Sequence, residues 1–427
     1  MWFLYEVLLL IGLLGYVPKA LWRRRLPHRG WRMRLGRYPS VVTERFVGHR
    51  PIWVHAVSVG EVLAIKPLLQ RFTQMNLKEP LVLSTITPSG FEVATAQIKG
   101  QGVTIYFPLD LRWCVTRALD TVHPRALLLV ESELWPVAIH LAKARRIPVA
   151  VINGRISARA FRRYRWVKPW LKSMLQSIDV FLMQSQTDAE RIIQLGAPTD
   201  RVHVVGSLKW DASVGARPSA QSVEEMRKRL GLAQDILVIV AGSTHRGEER
   251  ALLNMLSSLR TTHPQVRLII APRHLERLSE VEQLVQDAGL AVVRTSGAAA
   301  GQAWDVALVD GFGQLPHYYA LATVVFIGGS LIPHGGQNPL EAASVGKAML
   351  FGPSMDNFQT IVHQLLAHHA ARQEAGAHEL ETTLRELLLD LASAQLMGQR
   401  AQELTERFQG ATQRTLDALH PLLTKPL

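Results

Sequence analysis

Short apolar segments alternate with helical patterns along most of this 427-residue chain, and this alternation constrains the fold more than any other feature. The apolar segments are rich in β-branched residues, as buried strands are. A first series comprises 52–56, 81–85, 103–107, 126–130, 149–152, 179–183 and 202–205. A second series comprises 236–241, 266–270, 291–294, 306–309, 324–327 and 348–351. Because repeats of this kind form right-handed parallel crossovers, the sequence predicts an α/β protein with two doubly wound parallel sheets.

The loop after segment 324–327 is the most distinctive turn in the chain. Residues 328–337 include four glycines, and Asn338 is expected to cap the next helix, with Pro339 and Glu341 in its first turn. A glycine-rich turn between a strand and a helix can leave backbone N–H groups free to bind a phosphate. We therefore expect a nucleotide site here, with an ordinary capped loop as the alternative.

Several charged residues follow predicted strands. Glu61 comes directly after a glycine at the start of a predicted helix, where a carboxylate either favours the helix dipole or accepts a proton from a substrate. Spacing alone favours the first role. Glu131 and Glu133 follow segment 126–130, and a carboxylate there is costly to bury unless it is paired or functional. Lys209 and Arg273 are placed to meet a phosphate.

Residues 2–17 are apolar apart from Glu6. A helix of this length spans about 24 Å, slightly less than the ~30 Å hydrocarbon core of a bilayer. Three arginines at 23–25 and four more before residue 38 follow it, an arrangement that holds the next part of a chain in the cytoplasm. We predict a single N-terminal inner-membrane anchor, with the body of the protein facing the cytoplasm. A helix in the membrane interface and a buried helix of the fold are the alternatives.

Positive charge is concentrated in the first half of the chain. Residues up to 210 hold 30 Lys and Arg against 13 Asp and Glu, a net charge of +17, and the remainder holds 18 against 22, a net charge of −4. The basic segment 155–172 also carries Trp166 and Trp170. Such a surface suits an anionic membrane or phosphorylated lipids, although RNA binding or a solvated face would also fit. Because of the predicted anchor, we favour lipid and expect no nucleic-acid partner.

The predicted domains are the anchor at 1–25, a first domain at 26–210, a polar linker at 211–222 and a second domain at 223–427. A lone cysteine, Cys114, excludes an intrachain disulfide, and the sequence has no HExxH, Walker A or Asp-x-Asp motif. We therefore predict no metal site. Two doubly wound domains with a nucleotide-type turn in the second are the layout of GT-B glycosyltransferases, which some epimerases share.

Seven sequence motifs resemble those of one family in content and order. They are SVGE at 58–61, ESELWP at 131–136, NGRIS at 153–157, GSLKWD at 206–211, AGSTHRGEE at 241–249, PRH at 272–274 and GGSLIPHGGQN at 328–338. Together they span nearly the whole chain. On these motifs the sequence resembles the 3-deoxy-D-manno-octulosonic acid (Kdo) transferases of glycosyltransferase family 30.

The resemblance implies an inverting transfer of Kdo from CMP-Kdo to the phosphorylated lipid A precursor, lipid IVA, in lipopolysaccharide core biosynthesis. It implies that Glu61 is the general base, which reverses the preference from spacing, and that Glu131 and Lys209 stabilise the transition state. Donor contacts implied by the family motifs are Pro272, Arg273, Phe312, Gly313, Gln314, Asn338, Pro339, Leu340 and Glu341. No cofactor or metal is implied.

Two positions depart from the family pattern. Gln337 stands where the family usually has a histidine before Asn338, and Gln314 stands where it usually has a glutamate. Gln337 can donate a hydrogen bond but cannot carry a positive charge, and Gln314 removes a negative charge near the donor. The alternative functions are another GT-B nucleotide-sugar enzyme, such as a lipid-A disaccharide synthase-like transferase or an epimerase, and a non-catalytic membrane-tethered binding protein.

Overall fold

The computed structural model describes residues 5–7, 9–12, 30–75, 79–298, 302–311 and 313–424. The chain divides into two compact units, which are Met1–Ala212 with Gln409–Leu427 and Ser213–Phe408. Within the described residues, each unit is built on one seven-stranded sheet in which every neighbouring pair of strands is parallel. The predicted fold class of two doubly wound sheets is confirmed.

The sheet of the first unit has the strand order β3-β2-β1-β4-β5-β6-β7. Its strands are β1 (Ile52–His55), β2 (Leu81–Thr85), β3 (Gly102–Tyr106), β4 (Ala126–Val130), β5 (Val149–Gly154), β6 (Val180–Met183) and β7 (Val202–Val204). The direction in which successive strands are added reverses between β1 and β4. In open α/β sheets, ligands bind beyond the carboxyl ends of the strands at such a reversal.

Helices connect these strands. They are α1 (Trp31–Arg34), α2 (Ser40–Thr43), α3 (Val59–Ala64), α4 (Lys66–Gln74), α5 (Pro88–Gln97), α6 (Arg112–Val122), α7 (Pro136–Ala144), α8 (Ala158–Trp166), α9 (Lys168–Leu175), α10 (Gln186–Leu195) and α11 (Leu208–Val214). Hydroxyl N-caps start four of them, because the side chains of Ser58, Thr87, Ser157 and Ser185 each accept the backbone N–H three residues on. These caps fix where each strand gives way to a helix.

The sheet of the second unit has the order β10-β11-β9-β8-β12-β13-β14, with the reversal between β8 and β12. Its strands are β8 (Val238–Thr244), β9 (Arg267–Pro272), β10 (Val292–Arg294), β11 (Val306–Leu308), β12 (Val324–Ile327), β13 (Ala348–Phe351) and β14 (Arg372–Gln373). Its helices are α12 (Ala220–Arg229), α13 (Glu248–Arg260), α14 (Leu278–Asp287), α15 (Leu315–Leu321), α16 (Leu340–Ser344), α17 (Gln359–Ala367), α18 (Ala377–Leu389) and α19 (Leu391–Arg407).

Both faces of the first sheet are buried. In β4, Leu127 and Leu129 belong to one apolar cluster, whereas Leu128 and Val130 belong to another. Alternate residues of a strand point to opposite faces, so helices must cover the sheet on both sides. This explains why the strands are continuous apolar runs in the sequence.

The last helix, α20 (Ala411–Thr424), belongs to the first unit. Its apolar residues Leu416, Leu419 and Leu423 are buried in a core cluster of the first sheet. The sequence interpretation assigned these residues to the second domain, 223–427. The difference arises because an amphipathic pattern shows that a helix has a buried face but not which sheet covers that face.

The prediction of a membrane-spanning anchor, and of the inner-membrane localisation based on it, is wrong. Among the described residues, no helix is long and apolar enough to cross a membrane. Residues 5–7 and 9–12 are helical. Tyr5 packs against the core of the first unit, and the Glu6 carboxylate accepts the backbone N–H of Arg112. The rest of the predicted anchor, residues 1–4, 8 and 13–25, lies outside the described residues.

Candidate functional site

Glu61 lies in the first turn of α3, the helix that follows β1 at the strand reversal of the first unit. One of its carboxylate oxygens accepts the backbone N–H of Val57 at 2.9 Å, and the other accepts the Ser58 hydroxyl at 3.0 Å. The Ser58 hydroxyl oxygen in turn accepts the N–H of Glu61 at 3.4 Å. This reciprocal pairing resembles a capping box. Glu61 therefore both stabilises the start of α3 and holds its carboxylate in a fixed orientation.

The environment of Glu61 favours a base that works near neutral pH. Only 9% of the residue is exposed, and burial raises the pKa of its carboxyl to about 7. The nearby charges of Glu131 and Glu133 also raise this pKa, while the hydrogen bonds from Val57 and Ser58 lower it. A carboxyl with this pKa can both accept and release a proton at neutral pH.

Glu131 and Lys209 form an ion pair at the same sheet edge. The Lys209 Nζ lies 2.9 Å from Oε1 of Glu131, and both side chains are less than one-fifth exposed. Glu131 follows β4 with a left-handed backbone, at a φ of 58°. A non-glycine residue in this region costs about 1–3 kcal/mol, and such residues cluster at functional sites. The structure thus brings all three predicted catalytic residues to one end of one sheet.

Asn153 is a residue that the motif reasoning left without a role. It is the last but one residue of β5, is fully buried and has a left-handed φ of 50°. Its side-chain oxygen accepts the backbone N–H of Leu208 at 3.0 Å, which fixes the start of α11 immediately before Lys209. The Asn-Gly pair after a predicted strand is the sequence feature that could have identified Asn153, because asparagine tolerates a left-handed backbone.

The predicted donor residues of the second unit lie after its strands. Pro272 ends β9 and is followed by the exposed Arg273, whereas Asn338 and Pro339 precede α16. Burial raises the pKa of the Glu341 carboxyl, and a hydrogen bond from Asn338 and the charge of Arg273 lower it, so these three side chains are neighbours.

The remaining predicted donor residues are placed around α15 and α16. Leu340 is the first residue of α16 and is fully buried. Gly313 has a φ of 78°, and Oε1 of Gln314 accepts the hydroxyl of Tyr318 at 3.4 Å. Phe312 lies outside the described residues.

The glycine-rich loop does not leave its backbone N–H groups free in the way the sequence suggested. Glu248, at the start of α13, is 1% exposed, and its carboxylate accepts N–H groups from Gly329, Ser330 and Leu331 at 2.7–3.0 Å. It also accepts the N–H of His245 at 2.9 Å. A carboxylate of the protein thus takes the place that we expected a ligand phosphate to fill.

Asn338 does bond the start of the next helix. Its side-chain oxygen accepts the N–H of Leu340 at 3.1 Å, although the helix starts at Leu340 rather than at Pro339 as expected. The strand before the loop, β12, is buried along its whole length, as the sequence predicted.

Three histidines gather at the strand reversal of the second unit, and the sequence analysis did not single them out. His245 is 7% exposed, and its ring centroid lies 4.0 Å from that of His334 and 5.7 Å from that of His274. Burial lowers the pKa of His245 to about 4, and the neighbouring histidines and Arg273 lower it as well. Among the described residues, no three His, Cys, Asp or Glu side chains are arranged to hold a metal ion.

Comparison of the whole fold places the chain in a structural class. It is similar to the crystal structure of UDP-GlcNAc 2-epimerase from Neisseria meningitidis bound to UDP-GlcNAc, with 14% identity, 87% of this chain and 100% of that chain covered, and a TM-score of 0.59. At this identity the likeness concerns the fold alone. With one doubly wound parallel sheet in each of its two units, the chain has the GT-B fold of two Rossmann-like domains.

Sequence comparison identifies the family. Residues 29–212 match the family model described as 3-deoxy-D-manno-octulosonic-acid transferase (kdotransferase). The 3-deoxy-D-manno-octulosonic acid transferase of Haemophilus influenzae is 31% identical, over 98% of this chain and 96% of that protein. The transferase of that name from Bordetella pertussis is 34% identical, over 87% of each. The chain belongs to the 3-deoxy-D-manno-octulosonic acid transferase family and is a Kdo-transferring glycosyltransferase.

Proposed function

We propose that the enzyme transfers Kdo from CMP-Kdo to the lipid A precursor lipid IVA by an inverting displacement in which Glu61 is the general base. The observation that carries this proposal is the carboxyl of Glu61, held by two hydrogen bonds at the strand reversal with a pKa of about 7. Its neighbours Glu131 and Lys209 form the ion pair described above. Family membership supports the sugar that is transferred.

In the proposed step, Glu61 takes the proton of an acceptor hydroxyl while that oxygen attacks the anomeric carbon of Kdo. The bond from this carbon to the phosphate oxygen breaks, and CMP leaves with the electron pair. Positive charge develops on the sugar ring, which a carboxylate such as Glu131 can stabilise. Negative charge develops on the phosphate, which a cation such as Lys209 or Arg273 can stabilise. No metal or cofactor is needed for this charge balance.

The second unit is proposed to bind the CMP donor through Pro272, Arg273, Phe312, Gly313, Gln314, Asn338, Pro339, Leu340 and Glu341. Arg273 is exposed and presents the planar guanidinium that suits a phosphate. Glu341 is suited to the ribose diol. Because Glu248 takes up the N–H groups of the glycine-rich loop, side chains must supply most of the charge that holds the donor.

The acceptor is proposed to meet the basic surface formed by α8 and α9. Trp166 is 90% exposed and Trp170 is 47% exposed on these helices. The exposed cations around them are Arg159, Arg162, Arg163, Arg165, Lys168 and Lys172. Aromatic rings interleaved with cations fit the phosphates of the lipid acceptor and an anionic lipid surface, and we do not propose a nucleic-acid partner.

The test is transfer from freshly generated CMP-Kdo to purified tetraacylated lipid A precursor in detergent without added metal, read by mass spectrometry. The wild type should add mass increments of Kdo. Glu61→Gln should transfer at least ~100-fold more slowly, because a general base contributes about 10²–10⁴-fold. Glu44→Gln, which alters an exposed carboxylate of the same unit, is the matched control and should behave as wild type.

Absence of transfer by a folded wild type that still binds CMP would refute this donor and acceptor pair while leaving the family assignment intact. Equal rates for wild type and Glu61→Gln would refute Glu61 as the base.

A further inference from the structure

Most backbone N–H groups of the glycine-rich loop in the second unit already have partners within the protein. Besides the three N–H groups bound by Glu248, the N–H groups of Gly336 and Gln337 bond the carbonyls of Gly329 and Gly328 at 2.8 and 3.0 Å. The N–H of Gly335 bonds the Ser354 hydroxyl at 2.9 Å. We therefore expect side chains to supply most of the recognition of an anionic ligand at this strand reversal.

Three histidines and an arginine lie at this strand reversal beside the loop. His245 follows β8, His274 follows β9, and His334 lies in the loop after β12. His245 is buried, whereas His274 and His334 are exposed, and both of their rings lie close to the ring of His245. The exposed Arg273 is close enough to lower the pKa of His245.

Most other charges in the vicinity are already paired. Arg277 bonds the buried Glu249 at 2.9 Å, and Arg246 bonds Glu280 at 2.6 Å. His274 has an exposed carboxylate, Glu276, 3.4 Å from its Nδ1. Of the groups named here, His334 and Arg273 are those best placed to meet a ligand without first losing a carboxylate partner, with His274 adjacent.

The position of His334 is fixed by its loop. Its carbonyl accepts the side-chain N–H of Asn357 at 3.2 Å, and the carbonyl of the next residue, Gly335, accepts the backbone N–H of Asn357 at 2.9 Å. Gly335 and Gly336 both have positive φ, at 93° and 73°, which allows the tight turn. Because the backbone of this turn is anchored, a ligand that binds the His334 ring does not have to order the backbone.

His245 is fixed as well. Its Nε2 lies 3.2 Å from the side-chain nitrogen of Gln337. Because the ring is neutral at pH 7, we assign its proton to Nδ1, so Nε2 accepts the Gln337 amide. Gln337 thus serves as a donor that orients His245, and the outward-facing imidazoles are those of His334 and His274.

We propose that His334 and His274, whose rings both lie close to that of His245, form a second anion subsite beside Arg273 that binds the carboxylate of the sugar acid in the donor. This inference rests on the proposed function, because that donor carries two separate anionic groups. Arg273 suits the phosphate, and the imidazole N–H groups suit the carboxylate.

The test compares the binding of CMP-Kdo and of CMP, without acceptor, by isothermal titration. CMP has the phosphate but not the sugar carboxylate, so it serves as an internal control. His334→Ala and His274→Ala should each weaken binding of CMP-Kdo about tenfold, as expected for loss of a hydrogen bond to a charged group. Binding of CMP should change less than twofold. His378→Ala, at an exposed histidine near the start of α18, is the matched control.

Three outcomes would overturn the subsite. One is an equal loss of affinity for both ligands, which would mean that the histidines only shape the nucleotide site. The second is unchanged binding of CMP-Kdo by both variants, and the third is a wild type that binds the two ligands equally. Failure of the proposed function would look different, because the wild type would then bind CMP-Kdo but not transfer the sugar to lipid IVA.

Discussion

At the scale of single residues, Glu61 shows how a site can oppose stability. Its pKa in the folded protein is about 7, above the ordinary value of 4.5, so folding favours its protonated form. Below pH 4.5 the Glu61 carboxyl is protonated in both the folded and the unfolded protein. As the pH rises from 4.5 through 7, the unfolded protein loses this proton first, and the folded protein becomes less stable. The ionised form of Glu61, which the proposed role as general base requires, is therefore the form that folding disfavours.

Glu61→Gln should be more stable than the wild type at pH 8, by on the order of 3 kcal/mol for a shift of this size, and the gain should disappear toward pH 4.5. Glutamine keeps an oxygen for the N–H of Val57 and lacks the charge. Urea unfolding followed by tryptophan fluorescence measures this, because nine of the ten tryptophans belong to the first unit.

Glu44→Gln should show no pH-dependent gain, since that carboxylate is exposed. If Glu61→Gln gave the same difference in stability at pH 5 and at pH 8, the pKa of Glu61 would not be raised by the fold.

At the scale of secondary-structure elements, the sequence predicted most strands because they are buried. Segments 81–85, 126–130 and 324–327 coincide with β2, β4 and β12. The strand β14 was missed because its two residues, Arg372 and Gln373, are exposed and polar and so give no hydrophobic signal.

The candidate site was predictable in part for a related reason. Residues such as Glu131 and Arg273 directly follow strands, and the carboxyl ends of parallel strands lie at one edge of a sheet. The contacts of Glu248 with Gly329 and of His245 with Gln337 join residues 81 and 92 positions apart. No local pattern records such a pairing, so the expectation of free N–H groups in the loop was wrong.

The bond between α13 and the loop after β12 can be tested by Glu248→Gln. Glutamine has one oxygen acceptor and no charge, so most of the hydrogen bonds from Gly329, Ser330 and Leu331 should be lost or weakened. Each hydrogen bond to a charged group is worth about 1.5–3 kcal/mol. Hydrogen exchange of these three amides should accelerate at least ~10-fold.

Glu225→Gln, an exposed glutamate on α12, should leave the exchange of these amides unchanged. Unchanged exchange in Glu248→Gln itself would mean that the carboxylate does not anchor the loop.

At the scale of the whole molecule, the chain leaves the first unit after Ala212 and re-enters it at Gln409. The returning segment is held by residues near the exit. The Asp211 carboxylate accepts the N–H groups of Gly410 and Thr412 at 2.9 and 2.6 Å, and Arg414 donates to the carbonyl of Val205 at 2.8 Å. The second unit is thus an insertion between two parts of the first.

This arrangement predicts that a core substitution in α20 acts on the first unit, although α20 lies at the far end of the sequence. Leu419 is fully buried in the core that covers the first sheet, so Leu419→Ala should destabilise that unit by about 2–4 kcal/mol. Hydrogen exchange in β4 should then accelerate at least ~25-fold, while exchange in β8 should stay as in the wild type. Leu389 is 70% exposed, so Leu389→Ala should change hydrogen exchange in neither β4 nor β8. If Leu419→Ala instead accelerated hydrogen exchange in β8 and left exchange in β4 unchanged, α20 would belong to the second unit, as the sequence alone suggested.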